Sequence, residues 1–387
     1  MKKVLCLLLG ILFFIPVVSA EEISDDLAFN SKSAILMDFD SGEILYRKNE
    51  NEALAPASMT KIMSMLLIME AIDNGSITLD TEVTISENAA SMGGSQVFLE
   101  AGEVYKVEEL LKGIAIASGN DAVVAMAEKI SGSVSEFVNR MNERAKELGL
   151  KSTTFKNPHG LDEEGHVSSA YDMAILAREL ISHEKILEFT SIYEDYLQKN
   201  DGTSTWLVNT NKLVRFYDGV DGLKTGFTAS AGYCLTATAK KNNLRLIAVV
   251  MGADTSDHRS SDISSLLNYG FNTYKTEILY AKDNTLGTKR IENGTMETTD
   301  IVLTEDYVKL LKQTQAKPNY SYNVKVEGLK APVKKGDIVG NVEVVDESGN
   351  VVDTLDVTVK EDISKASVWD LFVRNLKMVT AGKVLIK

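Results

Sequence analysis

Val220-Asp221-Gly222-Leu223-Lys224-Thr225-Gly226-Phe227-Thr228 is followed by two apolar runs, Gly232 to Lys240 and Leu244 to Met251, joined by Lys241-Asn242-Asn243. Two such runs around a short polar turn predict a β-hairpin, and the quoted stretch predicts a third strand beside it. Lys224 and Thr225 then lie at a strand edge, where Gly226, lacking a side chain, lets another molecule approach the backbone closely. A second hairpin is legible from Ala34 to Phe39 and Glu43 to Lys48, turning at Asp40-Ser41-Gly42. Between the hairpins lie helical patterns, so the expected architecture of residues 21–280 is mixed α/β: an antiparallel sheet with helices packed on it.

Two of those helical patterns carry short polar words. Pro56 and Ala57 lead into Ser58-Met59-Thr60-Lys61, and Ile62, Met63, Met65, Leu66, Ile68 and Met69 continue as a strongly apolar segment up to Asn74-Gly75, a helix stop. A helix that apolar is buried nearly all round, so its first turn is a rigid platform. Ser58 and Lys61, three residues apart, share a face there. Ser118-Gly119-Asn120 interrupts two further helical stretches, Val107 to Ala117 and Ala122 to Ile130, and reads as a tight connection. Each word alone is weak. Ser182-His183-Glu184-Lys185 also fits S-x-x-K, and Ser86-Glu87-Asn88, Ser321-Tyr322-Asn323 and Ser348-Gly349-Asn350 also fit S-x-N. Ser182 ends a helix pattern with no buried platform behind it, and the Ser321 and Ser348 words lie beyond Lys224 in a region of different texture.

S-x-x-K, S-x-N and K-T-G, in this order, supply a nucleophile, a base, a relay and an anion-binding strand without histidine or metal; the set marks β-lactamases and penicillin-binding proteins. Ser58 is a poor nucleophile until a base takes its proton. Lys61 can do so only as a neutral amine, which requires burial or a second cation, and Lys224 is the candidate cation. Ser118 is the candidate relay toward the leaving amine, and Asn120 the residue that holds Lys61 and the substrate amide.

Asp221-Gly222-Leu223-Lys224-Thr225-Gly226, Ser118-Gly119-Asn120-Asp121-Ala122, His159-Gly160-Leu161-Asp162 and Ala231-Gly232-Tyr233 resemble the serine-type D-alanyl-D-alanine carboxypeptidases, the low-molecular-mass penicillin-binding proteins. The likeness is dense from about Ala34 to Tyr274. It implies removal of the terminal D-alanine from peptidoglycan stem peptides through an acyl-enzyme, and reaction with β-lactams. It also implies a receiver for the substrate carboxylate formed by Lys224, Thr225 and Arg259, and an oxyanion hole from the backbone N–H groups of Ser58 and Phe227. Many family members have histidine where this chain has Phe227, which bears on rate and substrate contact and leaves the reaction class alone. A β-lactamase is the alternative enzyme, but no E-x-x-x-N element that would position a deacylating water follows Ser118 at a plausible place. An inactive cell-wall-binding scaffold is a third reading, and the intact catalytic positions speak against it.

No cofactor or metal is expected: His159, His166, His183 and His258 are scattered without metal-ligand spacing. No G-x-S-x-G elbow supports a Ser-His-Asp triad. Lys2 and Lys3 precede an apolar run from Val4 to Val18 and then Ser19-Ala20, so residues 1–20 read as a signal peptide and the protein as exported to the outer face of the cytoplasmic membrane. Cys6 lies inside that segment, too early for a lipoprotein box, so Cys234 alone would remain, with no internal disulfide. The formal charge is −14; without Lys2 and Lys3, 39 basic residues face 55 acidic ones, or −16. Such a surface argues against nucleic acid and against general adhesion to anionic membrane. Residues 281–364 change to alternating and β-branched runs with turns at Gly328, Gly336 and Gly349, predicting a small all-β stalk domain. Residues 365–387 are basic. On a helix, Trp369, Phe372, Leu376 and Val379 fall on one face, with Asp370, Arg374 and Lys377 away from it, a pattern suited to lying in a membrane interface.

Overall fold

The computed structural model describes residues 26–199 and 202–380; the expected signal segment lies outside them. The two predicted hairpins form one five-stranded antiparallel sheet. In spatial order its strands are Ile44–Lys48, Ser33–Asp38, Leu244–Ala253, Gly232–Lys241 and Val220–Thr228. The N-terminal hairpin therefore inserts its first strand against the last strand of the C-terminal hairpin, pairing Ile35 with Val249 and Met37 with Ile247. The turns are as read: Gly42 and Asn242 both sit at positive φ.

Residues alternate between the two faces of a strand, and here both faces are covered. Ile35, Met37, Ile247, Val249 and Met251 point to one side, into a core shared with the helices Lys61–Asp73, Asn120–Ser131 and Ala170–Ser182. Ala34, Leu36, Leu246, Ala248 and Val250 point to the other, against Ile263, Leu266 and Leu267 of the helix Ser256–Thr273. Double coverage explains why Leu244 to Met251 reads as a near-continuous apolar run. The helix Lys61–Asp73 is the most enclosed: every residue from Lys61 to Met69 is buried.

The helix Ser256–Thr273 runs directly into a strand, Tyr274–Tyr280, which pairs with Tyr307–Lys312. Beyond it, a second five-stranded sheet is ordered Gly287–Arg290, Thr298–Leu303, Val351–Val359, Gly340–Val345, Ser321–Lys325. It has its own core of Ile301, Leu303, Val342, Val344, Val357, Val359 and Ile363. A helix, Val368–Thr380, ends the described chain, opened by Ser367, whose hydroxyl is bonded to the Asp370 carboxylate at 2.6 Å. Trp369 and Phe372 stack at 5.6 Å and, with Leu376, remain exposed. Arg374 departs from the simple two-faced helix: its guanidinium folds back to donate to the Gly294 carbonyl at 2.7 Å and ties the helix to the β-rich sheet. The side chain of Val379 lies outside the described residues. Among those residues no helix is long and apolar enough to cross a membrane.

Candidate active site

Ser58 stands on a single 3₁₀ turn, Ala57–Thr60, that feeds the buried helix. The tight turn places Lys61 Nζ 3.1 Å from Ser58 Oγ. Two further acceptors surround the amine: Asn120 Oδ1 at 2.6 Å and the His159 carbonyl at 2.8 Å. Lys61 has no exposed surface. Burial, reinforced by the charge of Lys224, holds its pKa well below the ordinary lysine range, with Asp121 opposing.

This partner set decides what the amine can do. A neutral lysine has two N–H bonds and one lone pair. The Asn120 carboxamide oxygen and the His159 carbonyl can only accept, so they take the two N–H bonds. Ser58 is the remaining neighbour and the only one with a proton to give. In the neutral form the lone pair is thereby left for the Ser58 hydroxyl.

Asn120 begins the helix Asn120–Ser131, and Ser118 just before it adopts φ +64, left-handed for a non-glycine residue. The Ser118 hydroxyl is buried and has no hydrogen-bond partner among the described residues, so it is not bonded to Ser58 or Lys61. The Asn120 amide donates to the Gly93 carbonyl at 2.7 Å, and Asp121 accepts from the N–H groups of Val97 and Leu99 at 3.0 and 3.1 Å. The S-x-N connection is thus stitched to residues 93–99.

The K-T-G strand closes the opposite side. A Cβ on Gly226 would sit 2.7 Å from the Pro56 carbonyl and 3.2 Å from Ser58 N, so the strand reaches this close to the serine turn only with glycine there. Lys224 is buried, its ammonium donating to the Thr225 carbonyl at 3.1 Å, and its pKa is pushed down to about 7 by burial and then by the Arg259 guanidinium. Thr225 Oγ1 donates to Thr210 Oγ1 at 2.7 Å. Arg259, in the first turn of its helix, is buried, and its Nε has no partner among the described residues. Arg259, on its helix, is near enough to Lys224 on the strand to act on it electrostatically, and two buried cations with spare donors are able to receive an anion. The Phe227 ring is half exposed and lies against Tyr233, centroids 4.3 Å apart.

The segment 154–168 forms the floor, a role that reading by words missed. His159 contributes its backbone carbonyl rather than its ring. Pro158 accepts from Ser64 Oγ at 2.7 Å. At Gly160, φ is +89 and a Cβ would stand 1.9 Å from the Ala57 carbonyl oxygen. The only hint in the sequence is the His159-Gly160-Leu161-Asp162 string. Ser182 is elsewhere, its hydroxyl spent on the Glu179 carbonyl at 2.6 Å. Cys234 is fully buried in its strand with its thiol pushed up to about 11, a packing residue and no nucleophile. No cluster of three or more His, Cys, Asp or Glu suited to a metal occurs among the described residues.

Residues 19–255 match the family described as D-alanyl-D-alanine carboxypeptidase, and residues 274–365 match the C-terminal domain of penicillin-binding protein 5. The D-alanyl-D-alanine carboxypeptidase DacF of Bacillus subtilis is 51% identical over 373 residues, covering 95% of this chain and 96% of its own. DacC of Escherichia coli is 35% identical over 370 residues, covering 91% and 90%. Among solved structures, penicillin-binding protein 5 of Haemophilus influenzae aligns with a TM-score of 0.68 at 33% identity, over 87% of this chain and 98% of its own. Penicillin-binding protein D2 of Listeria monocytogenes, solved in an ampicillin-bound form, aligns with a TM-score of 0.56 at 32% identity, over 62% of this chain and 98% of its own. A match of both parts of the chain, with a relative identical at half of its positions along nearly the whole length, places it plainly: the chain belongs to the serine-type D-alanyl-D-alanine carboxypeptidases, the low-molecular-mass penicillin-binding proteins.

Proposed function

We propose that Ser58 is the residue acylated during removal of the terminal D-alanine from peptidoglycan stem peptides, with neutral Lys61 as its base. The observation that carries this reading is the saturation of both Lys61 N–H bonds by Asn120 and His159, which leaves the lone pair for Ser58. Ser58 Oγ attacks the carbonyl carbon of the penultimate residue while its proton passes to Lys61 Nζ. The oxyanion that forms is received by the backbone N–H groups of Ser58 and Phe227. When the peptide C–N bond breaks, the Ser118 hydroxyl, which is unpartnered among the described residues and so free to turn to Lys61, relays a proton from Lys61 to the departing D-alanine amine. Water then attacks the ester, again with Lys61 as base, and restores Ser58. Lys224, Thr225 and Arg259 hold the terminal carboxylate, Asn120 also holds the substrate amide, and Gly226 gives the peptide room along the strand. Penicillins acylate the same serine, but their leaving amine stays tethered to the ester. Ser58→Ala is expected to abolish labelling by a fluorescent penicillin with the fold intact; labelling that survives in Ser58→Ala and disappears in Ser182→Ala overturns the assignment.

For location, the reading supported by residues 1–20 is export with loss of that segment, residues 21–280 forming the catalytic domain and 281–364 a stalk. Residues 365–387 then attach to the membrane surface through Trp369, Phe372 and Leu376, which stay exposed while Arg374 fixes the helix to the stalk. Deleting 365–387 should remove co-sedimentation with anionic vesicles and leave hydrolysis of a small soluble peptide unchanged. Equal sedimentation of both forms would put any attachment elsewhere.

A further inference from the structure

The peptide unit joining Ala57 to Ser58 carries the serine N–H that faces the oxyanion, and its other end is held in an unusual way. Ala57 adopts φ +47, in the left-handed region. Its carbonyl oxygen accepts from Thr60 Oγ1 at 2.8 Å. Thr60 Oγ1 in turn lies 2.8 Å from His166 Nε2, and His166 Nδ1 accepts the Lys156 N–H at 3.1 Å. The last bond fixes the tautomer. With Nδ1 accepting, the ring proton sits on Nε2 and is donated to Thr60, whose own proton can then only go forward to Ala57. The two links at Thr60 are enclosed and the one to Lys156 is part-buried: Thr60 is fully buried, His166 is 4% exposed, and Phe155 packs edge-on against the imidazole at 5.9 Å. Gly160 presses on the same carbonyl from its own side.

We infer that His166 is a positioning residue for the reaction, acting through Thr60 to set the plane of the Ala57–Ser58 peptide and so the direction of the Ser58 N–H. A trans peptide is planar, with its C=O and N–H pointing in opposite directions. Anchoring the carbonyl therefore aims the amide, and an oxyanion donor contributes fully only when aimed beforehand. Burial keeps the ring neutral, its pKa pushed down to about 4 against the pull of Glu163 and Asp162, so the relay keeps one direction at neutral pH. Among the described residues no hydrogen bond joins the His166 ring to Ser58 or Lys61. This role rests on Ser58 being the acylated residue.

The test uses the chain from residue 21 onward, with variants His166→Ala, His166→Gln, Thr60→Val, Thr60→Ser and the control Ser58→Ala. Read-outs are the second-order rate of acylation by a fluorescent penicillin, and kcat and KM on a D-alanyl-D-alanine peptide. His166→Ala is expected to slow acylation about ten- to a hundredfold and to lower kcat, with KM within about twofold, because the donor acts on the transition state. His166→Gln, which keeps both a donor and an acceptor, should recover most of the loss. Thr60→Val should behave like His166→Ala and Thr60→Ser like the native protein, and this pair decides the matter if His166→Ala does not fold. Native acylation in folded His166→Ala or Thr60→Val, or a His166→Gln no faster than His166→Ala, overturns the positioning role. Persistent labelling of Ser58→Ala would overturn the nucleophile assignment instead, so the two failures are distinguishable.

Discussion

The catalytic part and the β-rich part are both built around five-stranded antiparallel sheets, yet they treat charged groups in opposite ways. Up to Thr273 the described chain buries Lys61, Lys224, Arg259, Asp121, Asp172 and Asp262, two histidines, and a serine hydroxyl without a partner. From Tyr274 on, no charged side chain is buried among the described residues; the enclosed polar groups are hydroxyls, those of Thr299 and Thr358 and the unpartnered ones of Thr276 and Tyr307. Burying an ammonium costs stability unless it is paired, and among the described residues the Lys224 ammonium has one acceptor, the Thr225 carbonyl. The first part gives up stability to hold reactive groups in place, while the second spends its interior on aliphatic packing. Substitutions in the two parts should therefore fail in different ways.

The largest effect should come from the base. Lys61→Met removes the lone pair and keeps the packing, so acylation by penicillin should fall by about 10²- to 10⁴-fold, measured as a second-order rate. A drop of less than tenfold would mean another group takes the Ser58 proton. The reverse pattern should appear in the second core. Ile301 is fully buried, and Ile301→Ala should cost about 2–5 kcal/mol in denaturant unfolding of the β-rich part. Its acylation rate at 25 °C should stay native; a parallel loss of rate would show the two parts to be coupled.

Lys224→Met sharpens the same contrast from the other side. The folded-state pKa of Lys224, about 7, lies below its ordinary value of 10.5, so the unfolded chain binds the extra proton more readily. Stability on this account rises with pH between those two values, and the penalty is complete below about 7. Lys224→Met should therefore be inactive and more stable at neutral pH, by about 1–4 kcal/mol. The advantage should fade as pH approaches 10.5. Denaturant melts at pH 7 and 10 check both sign and window, and a variant less stable than native at pH 7 would count against a costly buried ammonium. Smallest is Arg259→Ala: loss of one charge-assisted contact, about 1.5–3 kcal/mol, should lower kcat/KM on D-alanyl-D-alanine peptides about ten- to a hundredfold. Penicillin acylation should suffer less, since ring strain supplies reactivity there. Equal, small effects on both would remove Arg259 from the carboxylate receiver.

Much of this was legible in local pattern. The central sheet follows from two hairpins whose strands and turns lie within a few residues of each other, and Ser58 and Lys61 meet because three residues make one turn. Residues that act through their backbone were silent. The His159 carbonyl on Lys61, the Gly93 carbonyl on Asn120 and the Pro158 carbonyl on Ser64 leave no side-chain signature. Gly160 and Gly226 show their purpose only once the serine turn lies against them. His166 read as a histidine without ligand spacing, because its partner Thr60 is 106 residues away. On the terminal helix, spacing separated the aromatic residues from the charged ones, but it could not show that Arg374 turns back to Gly294.

The most direct measurement is mass spectrometry of the protein after brief reaction with benzylpenicillin and proteolysis. A single adduct on the peptide containing Ser58 is expected, formed faster as pH rises through the depressed pKa of Lys61 and absent from Lys61→Met over the same interval. An adduct on Ser118 or Ser182, or one formed on Ser58 at an undiminished rate without Lys61, would contradict a serine activated by a buried, neutral lysine.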